Sequence, residues 1–210
     1  MSVPQRIVVA SHNRAKAAEI AQVFADEGLG LEVVSLTDFP AVALPPETGA
    51  TFASNAAVKA RQAAQATGLP AIADDSGLEV DALNGEPGIR SARYGGDEAS
   101  DEERYRKVLG LLADVPGHRL RARFRCAAAY AEPGGEVMLA EGTCQGRITR
   151  EPAGVGGFGY DPIFIPDGYS LTMAQLTPAQ KHSISHRGRA FRLLAQMIRE
   201  HLGSTDRDAH

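Results

Sequence analysis

A chain of 210 residues is long enough for one sizeable domain, or a domain of two lobes, and its composition is that of an ordinary globular protein with no low-complexity tract. A net charge of −4 excludes a general nucleic-acid binder while leaving room for a local basic cleft, and no apolar run reaches membrane length. With no positive-then-apolar signal at the N-terminus the expected compartment is the cytoplasm, and Cys126 and Cys144, which match no metal spacing, read as core thiols.

Arg6 to Ala10 is a short β-branched run, followed at once by Ser11-His-Asn-Arg-Ala-Lys16, and Ile20, Val23 and Phe24 continue with helical spacing. The pattern predicts a strand, a tight loop and a helix capped by Asn13. Such a junction gathers unpaired N–H groups and the positive end of a helix dipole, and so suits a phosphate. Lys16 stands in the first turn against that dipole. It is either a solvated lysine of a common α/β start or a phosphate ligand, and no Walker A pattern is present to decide.

Leu31 to Leu36 predicts a second strand, and Thr51 to Ala66 a helix capped by Thr51 and ended by Gly68. Asn55, Lys59 and Gln62 share one face of it, by default a solvated stripe, and Glu47 sits alone in the preceding loop. Ala71 to Asp81 is the pivotal stretch. A short apolar run reaches Asp74, Asp75, Ser76 and Gly77, then resumes with Leu78 and Val80, which predicts a strand ending in a turn at the two carboxylates. Neighbouring carboxylates at the mouth of a sheet either meet a cation or form a solvated turn.

Leu83 to Gly96 is a glycine-dense loop, Ser100 to Glu103 a capping box, and Arg119–Ala131 with Glu136–Thr149 a long hairpin whose projection from the sheet suits a dimer contact. In Glu151 to Pro162 four glycines let backbone approach a ligand, and Phe158 and Tyr160 offer flat faces for a base, with a tight turn as the plain alternative. Lys181, His186 and Arg187 precede the apolar stripe of a final helix (Phe191, Leu194, Ile198, Leu202), and the tail 203–210 is polar and expected to be disordered. Acids at Glu47, Asp74 and Asp75, cations at Lys16, Lys59, Lys181 and Arg187, and an aromatic glycine loop together form the inventory for a nucleoside triphosphate with magnesium.

Six segments carry a resemblance: Ser11-x-Asn-x-x-Lys-x-x-Glu19, Glu47-Thr-Gly-x-Thr-Phe-x-x-Asn-Ala-x-x-Lys-Ala60, Ala73-Asp-Asp-Ser-Gly77, Pro87-Gly-Ile-x-Ser-Ala-Arg-Tyr94, Gly156-Gly-Phe-Gly-Tyr-Asp-Pro162 and Lys181-x-x-Ile-Ser-His-Arg-Gly188. In this order the chain resembles the inosine triphosphate pyrophosphatase family, and within it the bacterial dITP/XTP pyrophosphatases, from about Arg6 to Leu202. His12 departs from the glycine that many members carry there.

The resemblance implies an α/β fold. It would be a two-lobed single domain (1–202) with a twisted mixed β-sheet flanked by helices and an active-site cleft between lobes. It implies Mg²⁺-dependent hydrolysis of ITP, dITP or XTP to the monophosphate and pyrophosphate, by a homodimer. Ser11, His12, Asn13, Arg14, Ala15, Lys16 and Lys59 would hold phosphates, and Glu47 and Asp75 would bind the metal. Asp75 would also accept the proton, with Asp74 sharing the catalytic work and Ser76 touching substrate. Phe158, Gly159, Tyr160, Asp161, Lys181, His186 and Arg187 would enclose the base and the nearby phosphate. A Maf-like pyrophosphatase acting on pyrimidine or modified nucleotides and a non-catalytic nucleotide-binding regulator are the rival readings.

Overall fold

The computed structural model describes residues 6–208. Elements follow in the order β1 (Arg6–Val9), α1 (Arg14–Asp26), β2 (Glu32–Ser35), α2 (Phe52–Thr67), β3 (Ala71–Val80), α3 (Asp101–Leu111), β4 (Arg121–Ala131), β5 (Val137–Ile148), β6 (Phe164–Pro166), α4 (Pro178–Ile184) and α5 (His186–Asp208), with short 3₁₀ turns between them. Six strands form one mixed sheet in the order β2-β1-β3-β4-β5-β6. β1 runs parallel to both β2 and β3, pairing Arg6 with Glu32 and Val8 with Ala71, and each parallel step requires a crossover, supplied by α1 and α2. β5 and β6 pair antiparallel, Ile148 opposite Phe164.

Contacts cluster in two compact units. Among the described residues, one comprises 6–75, Cys126–Gly142 and 187–208; the other comprises Ser76–Arg125 and Thr143–His186. The first unit packs Ile7, Val9, Ile20, Val23, Phe24 and Ile72 against Phe191, Leu194 and Ile198 of α5, which recur every three or four residues and so fall on one helix face. Each such side chain removed from water contributes about 1.5–3 kcal/mol. The second unit has its own core of Leu78, Val80, Val108, Leu112, Phe124, Ile163 and Phe164, with the Phe124 and Phe164 rings edge-to-face at 4.7 Å. Both cysteines are buried and outside any disulfide, as composition predicts.

The predicted caps are in place. Asn13 accepts from the Lys16 N–H at 3.1 Å, Thr51 and Ser100 each close a capping box, and Gly68 ends α2 at φ +69°, in the left-handed region that glycine enters without steric cost.

Three elements differ from their pattern. β3 does not turn at Asp74 and Asp75 but runs unbroken to Val80, because both carboxylates find cations and backbone need not leave the ladder to solvate them. The hairpin β4–β5 does not project: it lies inside the sheet, flanked by β3 and β6, since its inward faces are too apolar to leave uncovered. Helical geometry in α5 continues past Gly203 to Asp208, because each added residue extends an existing ladder, and the last two residues lie outside the described range.

Candidate active site

Successive side chains of a strand point to opposite faces, and Asp74 and Asp75, adjacent on β3, accordingly meet different partners. Asp74, 3 % exposed, receives the Lys16 Nζ from α1 at 3.2–3.3 Å. It also receives the Arg187 Nε and Nη2 from the first turn of α5, both at 3.2 Å. Arg187, itself buried, extends the chain of charges by donating from Nη1 to Glu19 Oε2 at 2.7 Å. Burial alone would raise the Asp74 carboxyl, but Lys16, Arg187 and Lys59 outweigh it and hold the group far below the usual carboxylate range. The same carboxylates drive the Arg187 guanidinium upward despite its burial. Asp74 is therefore a permanent anion that fixes Lys16 at the start of α1.

Asp75 has a different environment. Its Oδ2 accepts from Asn55 Nδ2 at 2.8 Å, and its Oδ1 lies 3.7 Å from the Lys59 Nζ. That ammonium also donates to Glu47 Oε1 at 2.7 Å, so one lysine of α2 stands between two acids distant in sequence. Burial raises the Asp75 carboxyl above the usual carboxylate range, Glu47 and Asp74 add to the effect, and the pull of Lys59 and Asn55 does not cancel it. Lys59 in turn is lowered by burial but raised more by Asp74, Asp75 and Glu47, and stays charged. Asn55 Oδ1 accepts the Gly49 N–H at 2.7 Å, and this ties the loop carrying Glu47 to α2.

In the second unit the glycine loop is closed on itself. Asp161 Oδ2 accepts from the Phe158 N–H at 3.0 Å and from Lys181 Nζ at 2.7 Å. The Lys181 ammonium stands 4.8 Å from the Phe158 ring centre, within cation–π range. Gly157 sits at φ +75°, and a Cβ there would fall 2.0 Å from Asp161 Oδ2, so this turn admits only glycine. Tyr160 is buried and donates its hydroxyl to Ser91 O at 2.8 Å, and His186 stacks on Phe124 with ring centres 4.8 Å apart.

The structure thus groups Lys16, Asp74, Arg187, Lys59, Asp75 and Glu47 in one unit, and Phe158, Asp161 and Lys181 in the other. Ser11 accepts from the Asn13 N–H, His12 and Asn13 are exposed, Arg14 and Ala15 open α1, and Ser76 is half-buried in β3. The face of Asn55 and Lys59 is buried rather than solvated, because each is drawn inward by a carboxylate. Sequence reasoning missed Asn55 and Glu19 as members of the site. The signal for both was present: each shares a helix with an assigned lysine, at spacings of four (Asn55 to Lys59) and three (Lys16 to Glu19).

Paired carboxylates set against buried cations on a mixed α/β sheet form the framework of an α/β enzyme. The chain belongs to the Ham1 family, whose model matches residues 7–197. It is 52% identical over 190 residues to a dITP/XTP pyrophosphatase of Nocardia farcinica, covering 90% of this chain and 92% of that one. It is 48% identical over 197 residues to the dITP/XTP pyrophosphatase of Escherichia coli O157:H7, covering 93% and 98%. The fold is similar to that of a HAM1 protein from Coxiella burnetii, with a TM-score of 0.85 at 43% identity over 93% of this chain and 99% of that chain. The resemblance drawn from the six motifs is borne out, and among the described residues no helix is long and apolar enough to cross a membrane.

Proposed function

We propose that this chain is a nucleoside-triphosphate pyrophosphatase acting on dITP, XTP and ITP, working as a cytoplasmic homodimer. The observation that carries the chemistry is the contrast between two adjacent carboxylates: Asp74 locked between Lys16 and Arg187, Asp75 hydrogen-bonded to Asn55 and shared with Glu47 across the Lys59 ammonium. The names of the relatives support the substrate class.

A hard divalent cation such as Mg²⁺ fits Glu47 and Asp75. They offer two carboxylates rather than a full protein cage, there being no cluster of three or more histidine, cysteine or acidic side chains among the described residues suited to hold a metal. Mg²⁺ favours such sites, filling its remaining positions with water and substrate phosphates. Bound there it supplies stabilisation of negative charge on phosphate oxygens.

The chain's own residues do the rest. Backbone N–H groups from Ser11 to Lys16, the start of α1 and the Lys16 and Lys59 ammonium groups receive the phosphates, with Ser76 as a further substrate contact. Asp75 takes a proton from the attacking water as the bond between the α and β phosphates breaks and pyrophosphate leaves. Asp74, both of whose oxygens are engaged by Lys16 and Arg187, serves to position Lys16 and leaves Asp75 as the base of the two. Phe158 offers a face to the purine, and Gly159, Tyr160, Asp161, Lys181, His186 and Arg187 shape its surroundings. Since Tyr160 and Arg187 are buried and committed to Ser91, Asp74 and Glu19, they act there by supporting other groups.

The test is pyrophosphate release from ITP, dITP, XTP, GTP, ATP and UTP, each with and without Mg²⁺. Turnover confined to ITP, dITP and XTP and dependent on the metal is the expected result. Preference for UTP, or release of orthophosphate, would overturn the proposal in favour of a Maf-like activity or another phosphohydrolase.

A further inference from the structure

Two neighbouring N–H groups at the crest of the glycine loop are held by carboxylates from different places. That of Phe158 is held by Asp161, three residues on. That of Gly159 donates to Asp101 Oδ2 at 2.7 Å, and Asp101 belongs to the first turn of α3, 58 residues away. Asp101 lies in none of the six motifs and has no part in the chemistry set out above.

Its position is nevertheless well braced. Ser100 and Glu103 close a capping box around the start of α3, with Ser100 Oγ accepting from the Glu103 N–H at 3.2 Å and Glu103 Oε2 accepting from the Ser100 N–H at 2.7 Å. Asp101 Oδ1 is engaged separately, by Arg104 Nη1 at 3.0 Å. Val108 and Leu112 anchor the far end of the helix in the core of the second unit. Each oxygen of the carboxylate has its own partner, so the side chain, though 47 % exposed, is held by two separate contacts.

The loop it holds needs such a hold. Gly157 and Gly159 both lie at positive φ, so the crest is built from residues with the widest backbone freedom, and Phe158 stands between them. Tyr160 and Asp161 are buried behind the crest, and the Asp161 N–H donates to the Phe158 carbonyl at 3.3 Å, which holds one end of the peptide that leads out of Phe158. The Asp101 contact holds the other end of that peptide, its N–H.

We infer that Asp101 is a positioning residue of the base platform: through the Gly159 N–H it sets the orientation of Phe158. This rests on the role of Phe158 in the proposed function. Asp101→Ala removes the acceptor, and Asp101→Asn keeps an oxygen while losing the charge. Amide hydrogen exchange reads the tether directly. In Asp101→Ala the Gly159 amide exchanges about tenfold faster while the global melting temperature stays within about 2 °C. In the same variant the KM for ITP rises about tenfold with kcat changed much less, the inhibition constant of inorganic tripolyphosphate, which presents phosphates but no base, is unchanged, and Asp101→Asn recovers part of the loss.

Unaltered exchange at Gly159 would overturn the tether. Faster exchange with an unchanged KM, or a KM and tripolyphosphate constant that move together, would overturn the positioning role. A wild-type chain that turned over no nucleotide would instead refute the proposed function, and the exchange experiment would still decide the tether.

Discussion

Asp74 and Asp75 differ by one position and share almost nothing else. Asp74 is fully enclosed by Lys16 and Arg187, and truncating one partner of a buried pair leaves the others uncompensated. Asp74→Asn is expected to lower unfolding free energy by about 3–5 kcal/mol in urea titration. The sign of its pH dependence follows from a folded value below the unfolded one, about 3.9. The stability it contributes is complete above about pH 4 and is lost only as pH falls further. Wild-type stability is therefore expected to fall more steeply than that of the variant below pH 4. Asp75→Asn is expected to leave the fold intact and to reduce kcat by about 10²–10⁴, measured as pyrophosphate release with the melting temperature as control. A variant with near-normal turnover would remove Asp75 from the role of base. Residue type and spacing identified both acids, but not which of them is locked by counterions at both oxygens. That distinction depends on Arg187, 113 residues from Asp74, and on Glu19 behind it. Lys181 and Asp161 were expected in one region and are found paired at 2.7 Å, and Arg187, expected at the base, is buried as a counterion of Asp74 and Glu19.

Among the elements, those with local causes were legible and those with tertiary causes were not. Asn13, Thr51, Ser100 and Gly68 mark their helix ends through contacts within a few residues, and those ends fall where the residue types place them. The apolar stripe of α5 likewise gives its buried face. β3 was misread because an Asp-Asp-Ser-Gly run looks like a turn until the cations that neutralise it are known. The central place of the β4–β5 hairpin is equally a property of the assembled sheet. The glycine loop is a test at this scale. Gly157→Ala imposes a left-handed backbone on alanine, at about 1–2 kcal/mol, and drives its Cβ into Asp161. The expected outcome is a lower melting temperature with a weakened hold on Phe158, seen as a higher KM for ITP and an unchanged inhibition constant for tripolyphosphate.

For the molecule as a whole, a net charge of −4 means that a nucleoside triphosphate, itself carrying about four negative charges, is attracted only by local cations. Raising ionic strength is expected to weaken ITP binding by modest factors, because the buried lysines are poorly screened and the surface adds no long-range pull. Sedimentation equilibrium tests the proposed dimer, which should run at twice the chain mass of 22.2 kDa. Chelation separates activity from integrity. EDTA is expected to abolish pyrophosphate release, yet to move the melting temperature by no more than about 2–4 °C.

The reason is the Lys59 ammonium between Glu47 and Asp75. Two acids gathered for a metal would repel one another in a newly made chain, and many metalloproteins cannot fold until the ion arrives. Here the chain carries its own counterion, so folding is expected to be independent of the supply of divalent cations. On the proposed metal dependence, a cell short of magnesium would accumulate intact but idle molecules that resume work on replenishment without being made again.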